Sequence, residues 1–187
     1  MYLQSDRLEF RPYRDEDFHF LWSLLSDPEI IRYIGKGQTR DRSEALEFLY
    51  WIYRSYQENF QSGLLLLVRK SDGRRIGHAG LVAQTVEEVD ELEVGYWIAK
   101  EFWGQGYAKE AARALRDYGL HQLGRSRLIS LIQRDNRASQ KVAQHIGMAM
   151  EKEIDLSGKK VWVFAIEKEE NDGISTIGNR KAALGES

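Results

Sequence analysis

The sequence has no cysteine. That excludes a disulfide framework, a cysteine-ligated metal and a cysteinyl acyl-enzyme together. It has no excess of charge either: 27 Lys and Arg face 29 Asp and Glu, for a formal net charge of −2. Nothing in that balance favours nucleic acid or an anionic membrane as a partner. Long hydrophobic runs are also missing. The longest, Phe48–Tyr53 and Val161–Ile166 at six residues each, fall far short of the roughly 20 residues that a membrane helix needs. The opening residues MYLQSDRLEF are charged too early for a secretory signal. No repeat, low-complexity segment or Pro/Gly/Ser-rich linker divides the chain. A cytoplasmic enzyme or binding protein is the expectation, with no nucleic-acid or membrane partner.

What is present has the balance of an ordinary globular protein: 187 residues, 42% of them hydrophobic and 30% charged. That length suits one domain. Composition shifts near Glu170, so the domain is expected over residues 1–169, with 170–187 as a loosely ordered tail.

Short strand and helix patterns alternate along the chain. Arg7 to Tyr13 alternates around Leu8 and Phe10, as a half-buried strand does. After Asp15, a good helix cap, Phe18, Leu21, Trp22 and Leu25 recur at helical spacing and Pro28 closes the segment. Asp41 with Glu44 reads as a capping box opening a second helix, whose apolar stripe runs through Leu46, Leu49, Tyr53, Tyr56 and Phe60. Strand patterns follow at 64–69, 75–83 and 91–99, then a helix from Ala108 to Leu115 with Gly124 as its expected end. The nearly continuous apolar run Leu128–Gln133 suits a strand buried on both faces. Asn136 caps a short helix ending at Gly147, and two strands flank the turn Ser157–Gly158. The sum is an α+β domain with a mixed central sheet of about seven strands, flanked by about four helices and containing one strand–helix–strand crossover.

The most informative segment runs from Glu91 to Leu115, where a strand enters a turn bearing Gly104 and Gly106 and the turn opens a helix. Unpaired N–H groups and the dipole at a helix start bind anions such as pyrophosphate, and glycines let the backbone approach closely. Two glycines alone fit a tight turn equally well. Rival phosphate loops fit worse: a dinucleotide fingerprint wants a third glycine where Lys109 stands, and G-x-x-x-x-G-K-[ST] is absent. Neither a G-x-S-x-G elbow nor an H-E-x-x-H pair occurs, and the histidines at 19, 78, 121 and 145 show no ligand spacing. No metal is expected.

The segment E-V-G-Y-W-I…F-W-G-Q-G-Y-A-K-E-A resembles the acyl-CoA signature of the GNAT superfamily of N-acetyltransferases, especially the branch of ribosomal-protein N-terminal acetyltransferases. Ser5–Pro12, Asp27–Pro28–Glu29, Asn136–Ser139 and Ile146–Met148 resemble that branch's other motifs in the same order. The resemblance covers roughly Ser5 to Lys168.

It implies a GNAT-like fold in which main-chain amides of Trp103, Gly104, Gln105, Gly106, Tyr107 and Ala108 bind the pyrophosphate of acetyl-CoA. The pantetheine arm would lie between the strands 91–99 and 128–133, along Tyr96, Trp97 and Ile98. Glu101 departs from the family's Gln or Arg and leaves the phosphates one positive side chain fewer. Asn136 would bond the cofactor, although Asn is also a preferred helix cap. Strand alternation puts Glu91, Glu93, Gly95 and Trp97 on one face. The resemblance places Glu93 next to the acceptor as a base; a solvated strand face is the alternative. Many relatives carry a tyrosine at the place of Ala143. Ser139, one helical turn earlier, is then the candidate partner of the leaving thiolate, or simply a first-turn residue. Acetyl transfer to a primary amine by direct attack in a ternary complex is implied, with a protein or peptide N-terminal α-amine as acceptor. A small-molecule amine, or a non-catalytic acyl-CoA-binding module, remains the alternative. Either a monomer or a homodimer is compatible.

Overall fold

A computed structural model describes residues 3–58 and 63–168. Its elements are β1 (Leu3–Gln4), β2 (Leu8–Arg11), α1 (Phe18–Ser26), α2 (Pro28–Ile31), α3 (Arg42–Glu58), β3 (Gly63–Arg69), β4 (Arg75–Val86) and β5 (Val89–Ile98), then α4 (Tyr107–Asp117), β6 (Arg127–Gln133), α5 (Arg137–His145), β7 (Ala149–Leu156) and β8 (Lys159–Glu167). The eight strands form one sheet in the order β1-β2-β3-β4-β5-β6-β8-β7. Every neighbouring pair is antiparallel except β5 and β6, which the crossover through α4 makes parallel. This is the expected α+β domain, with one more strand and one more helix than the sequence pattern suggested: the two-residue β1 and the single-turn α2 are too short to carry a period.

Helices cover both faces. The leucine run of β3 shows why: Leu65 and Leu67 join the core under α4 and α5, while Leu64 and Leu66 join the core under α1 and α3. Strand alternation divides one apolar run between two layers. In β6, Leu128 and Ile132 face α4 and α5, and Ile129 meets Val161 and Val163 of β8 on the other face.

Two helix starts differ from expectation. Asp15 opens a 3-10 turn, Asp15–Asp17, rather than capping α1. The buried residue there is Asp17, which accepts bonds from Arg11 (2.7 and 2.9 Å), Arg75 (2.6 Å) and the Arg14 amide (2.9 Å). Burial alone would raise its carboxyl; these donors overcome that and hold it below the usual range. Pro28 does not close a helix but opens α2, capped by Asp27 Oδ1 on the amide of Glu29 at 2.8 Å. Proline suits a first helical position because its missing N–H has no partner there anyway. The capping box is present as read: Asp41 N–H donates to Glu44 and Glu44 N–H to Asp41, both at 2.9 Å. Helix α4 ends at Asp117 in a π turn, Tyr118–Gln122, before Gly124 at φ +65°. Phe60 of the expected apolar stripe and the expected tail at 170–187 lie outside the described residues.

Candidate active site

The site grows from the one parallel junction in the sheet. β5 and β6 pair at a single register position, Glu93 opposite Ile129, and diverge beyond it. Side chains bridge the opening: Ser130 Oγ donates to the Val94 carbonyl at 3.0 Å, and the Leu131 amide donates to Glu93 Oε1 at 3.3 Å. A cleft of about 580 Å³ fills the divergence. Its walls are Glu93–Ile98 of β5, Ser130–Ile132 of β6, the loop entering α4, the first turn of α5, and Glu29, Ile30, Tyr33 and Ile34 at and after α2.

Glu93 sits at the narrow end. Gln84 Nε2 donates to its second oxygen at 2.7 Å. Burial raises its carboxyl above the ordinary value; the bonds from Gln84 and Leu131 only partly offset this. A carboxylate poised in that way can accept a proton from a group entering the cleft.

At the other end, Gly104 and Gly106 have φ of +74° and +84°, a region that side chains with a Cβ rarely occupy. The requirement is backbone shape rather than space, since a Cβ at Gly104 would meet nothing within 4 Å. Gly106 caps α4 in the left-handed conformation, and the first helical bond runs from the Glu110 amide to the Gly106 carbonyl at 3.1 Å. The amides of Tyr107, Ala108 and Lys109 precede that bond, so the helix itself does not use them. Glu101 is exposed and paired with Arg74, so its charge does not stand alone beside the loop.

Asn136 and Ser139 line the cleft from α5. Asn136 Oδ1 caps the helix, accepting from the Ser139 amide at 3.1 Å. Ala143 is buried. A phenol reaches this helix instead from β5, where the Tyr96 hydroxyl donates to the Ser139 carbonyl at 3.4 Å. Burial pushes that phenol well above its usual range.

Of the residues singled out in the sequence, Glu93, Tyr96, Trp97, Ile98, Trp103, Gly104, Gly106, Tyr107, Ala108, Asn136 and Ser139 all line this cleft. Gln105 does not. Its side chain donates to the Glu101 carbonyl at 3.0 Å, and its own carbonyl accepts from Arg7 Nη1 at 3.1 Å. Lys109, Ser130, Ile30 and Tyr33 were not singled out. Lys109 was in view only as a missing glycine, and Ile30 and Tyr33 carry no motif. His78 is buried 4.4 Å from the Trp97 ring and bonded to Tyr13 at 2.9 Å, and burial pushes its imidazole down to about 3. It is a neutral packing residue. Among the described residues no group of three or more His, Asp or Glu is placed to hold a metal. No helix among the described residues is long and apolar enough to cross a membrane.

The acetyltransferase (GNAT) domain model matches residues 7–149. The chain belongs to the GNAT acetyltransferase family. Bacillus subtilis YkkB is 34% identical to it over 163 residues, covering 87% of this chain and 93% of that protein. The crystal structure of an acetyltransferase from Agrobacterium tumefaciens superimposes with a TM-score of 0.77 at 25% identity, covering 90% of this chain and 95% of the other. RimL, a ribosomal L7/L12 alpha-N-protein acetyltransferase solved with coenzyme A, gives a TM-score of 0.74 at 18% identity over 89% and 98% of the two chains, a likeness of fold. GNAT enzymes use acetyl-CoA, and the donor set here fits that substrate: amides for phosphate at one end, strand edges for an amide-bearing arm between, and a carboxylate at the apex.

Proposed function

We propose that the protein transfers acetyl from acetyl-CoA to a primary amine, with the α-amine of a protein or peptide N-terminus as acceptor, by direct attack while both substrates are bound. The observation that carries this is the apex: a half-buried glutamate with a raised carboxyl lies where two strands part, a strand's length from the glycine loop that opens α4.

In this reading the loop from Trp103 to Ala108, excepting the turned-away Gln105 side chain, holds the pyrophosphate through its amides. The free edges of Tyr96–Ile98 bond the arm, and Asn136 and Ser139 flank the thioester. Glu93 takes the proton of the attacking amine, directly or through a water. The C–N bond forms, the C–S bond breaks, and the Ser139 hydroxyl hydrogen-bonds the departing thiolate. That thiol has a pKa near 8.5, so it needs no strong acid to leave. An α-amine, with pKa about 7.7–8.0, is partly neutral at physiological pH, whereas a lysine amine near 10.4 mostly is not. One carboxylate therefore suffices for the former. The name of RimL supports the choice of acceptor.

The test pairs binding with turnover. CoA should raise the melting temperature, since a ligand at one hundred times its Kd stabilises by about 2.7 kcal/mol. Peptides with a free α-amine should release CoA from acetyl-CoA, and the same peptides with that amine blocked should not. No thermal shift at millimolar CoA removes the whole reading. Release with lysine or small amines alone removes only the acceptor assignment.

A further inference from the structure

Glu110 lies one turn into α4, and three donors from the β1–β2 turn converge on its carboxylate. Ser5 Oγ reaches Oε1 at 2.6 Å, the Arg7 amide reaches Oε1 at 2.8 Å, and Arg7 Nε reaches Oε2 at 2.6 Å. Burial would raise this carboxyl; the three bonds hold it below the usual range. The turn is itself tied to β3's end, where Lys70 Nζ donates to the Ser5 carbonyl at 2.6 Å and the Lys70 amide to the Arg7 carbonyl at 2.9 Å. Held at both ends, the Arg7 guanidinium has one orientation. Its Nη1 donates to the Gln105 carbonyl at 3.1 Å, and its Cζ lies over the Tyr107 ring, 4.3 Å from the centroid. Its Nη2 comes within 3.4 Å of where a Cβ on Gly106 would stand. One side chain, from a turn 98 residues earlier than Gln105, thus contacts Gln105 and Tyr107 and lies beside the Gly106 between them.

A trans peptide points its C=O and the following N–H in opposite directions. Drawing the Gln105 carbonyl towards Arg7, away from the cleft, therefore turns the Gly106 N–H towards it. Gly106 can rotate about its backbone more freely than any other residue, so without an anchor that amide has no fixed direction. We propose that Arg7 is a positioning residue for the donor's phosphates: through the Gln105 carbonyl it aims the Gly106 amide at the pyrophosphate, and Glu110 with Ser5 holds the guanidinium in place to do so. The inference rests on the acetyl-CoA reading above. A bond confined to tying β2 to α4 would need only the Arg7 amide and Nε. The contact to Gln105 requires the second arm of the guanidinium fork, which lysine lacks.

The test compares acetyl-CoA with acetyl-pantetheine, which has the same thioester and no pyrophosphate. Arg7→Lys keeps the charge beside Glu110 and loses the fork. It should raise KM for acetyl-CoA about tenfold, the scale of one charge-assisted hydrogen bond, with kcat and the acceptor KM within about twofold. Its kcat/KM for acetyl-pantetheine should stay within about twofold of wild type. Glu110→Gln should shift the same ratio in the same direction by a smaller factor. Equal losses on both donors, or no loss on either, overturn the proposal while leaving the functional reading intact. Wild-type protein that neither binds CoA nor uses acetyl-CoA overturns the functional reading itself.

Discussion

Glu93 is where burial and hydrogen bonding oppose each other most directly, and burial prevails. Its folded pKa is therefore above its unfolded one. Its contribution to stability is present below the ordinary glutamate value of 4.5 and is lost as pH rises through the elevated folded value. Glu93→Gln, which stays neutral, should accordingly melt above wild type at neutral pH. In the proposed mechanism the same substitution removes the base, so turnover should fall by at least about tenfold while CoA affinity holds within twofold. In wild type the acid limb of kcat/KM should combine Glu93 with the amine; in Glu93→Gln only the amine's own ionisation should remain. An unaltered profile and rate in the variant would return Glu93 to a merely structural place. Much of this was legible beforehand because Glu93 and the glycine loop share one contiguous segment. Arg7 was legible only as part of a motif. Its partner Glu110 is 103 residues away, and no local pattern connects an arginine in a turn with a carbonyl in a distant loop.

Elements with a strong local signature were readable, and those whose signature was replaced were not. The box of Asp41 and Glu44 encodes its own start, since each side chain satisfies the other's amide. By contrast, β4 and β5 extend to a two-residue turn at Glu87–Glu88, with φ of 48° and 68°. Such turns favour Asn-Gly because both residues need positive φ. Two glutamates carry no such signal, and the strands were read as ending several residues short. The turn also holds unrelieved strain. Replacing Glu87–Glu88 by Asn-Gly should raise stability by about 1 kcal/mol, against a left-handed cost of roughly 1–2 kcal/mol per residue. That would move the melting temperature by ~2–4 °C in a domain of this size. The exposed Lys152–Glu87 ion pair would be lost, at little cost. A melt that shows no gain, with activity unchanged, would mean that the glutamates are held there by something other than backbone preference.

Across the whole molecule, the sheet is two antiparallel blocks, β1 to β5 and β6 with β8 and β7, joined by one parallel register position and by side-chain bonds through Ser130, Glu93 and the Arg127–Glu91 pair. The order β6-β8-β7 places the last strand inside its own hairpin. The sequence could mark that hairpin through Ser157–Gly158, but a local turn does not say which of its strands joins the sheet. Backbone groups facing the divergence have no strand across from them. Those amides of Val94–Ile98 that point into it, unlike the Leu131 amide held by Glu93, should exchange with solvent faster than those of β3 and β4, and slow markedly when CoA is added. Exchange rates in the divergence that ignore CoA would show that the ligand lies elsewhere.

The divergence has a further consequence that follows from its dimensions. From Glu93 to Ile98, β5 advances by five residues, about 17 Å at a rise of roughly 3.3 Å each. The loop marks one end of that span and the Glu93 carboxylate the other. On the proposed reading, the fold is thus a ruler for its donor. A carrier with a shorter arm would seat its phosphates correctly and still hold its acyl group out of reach of Glu93.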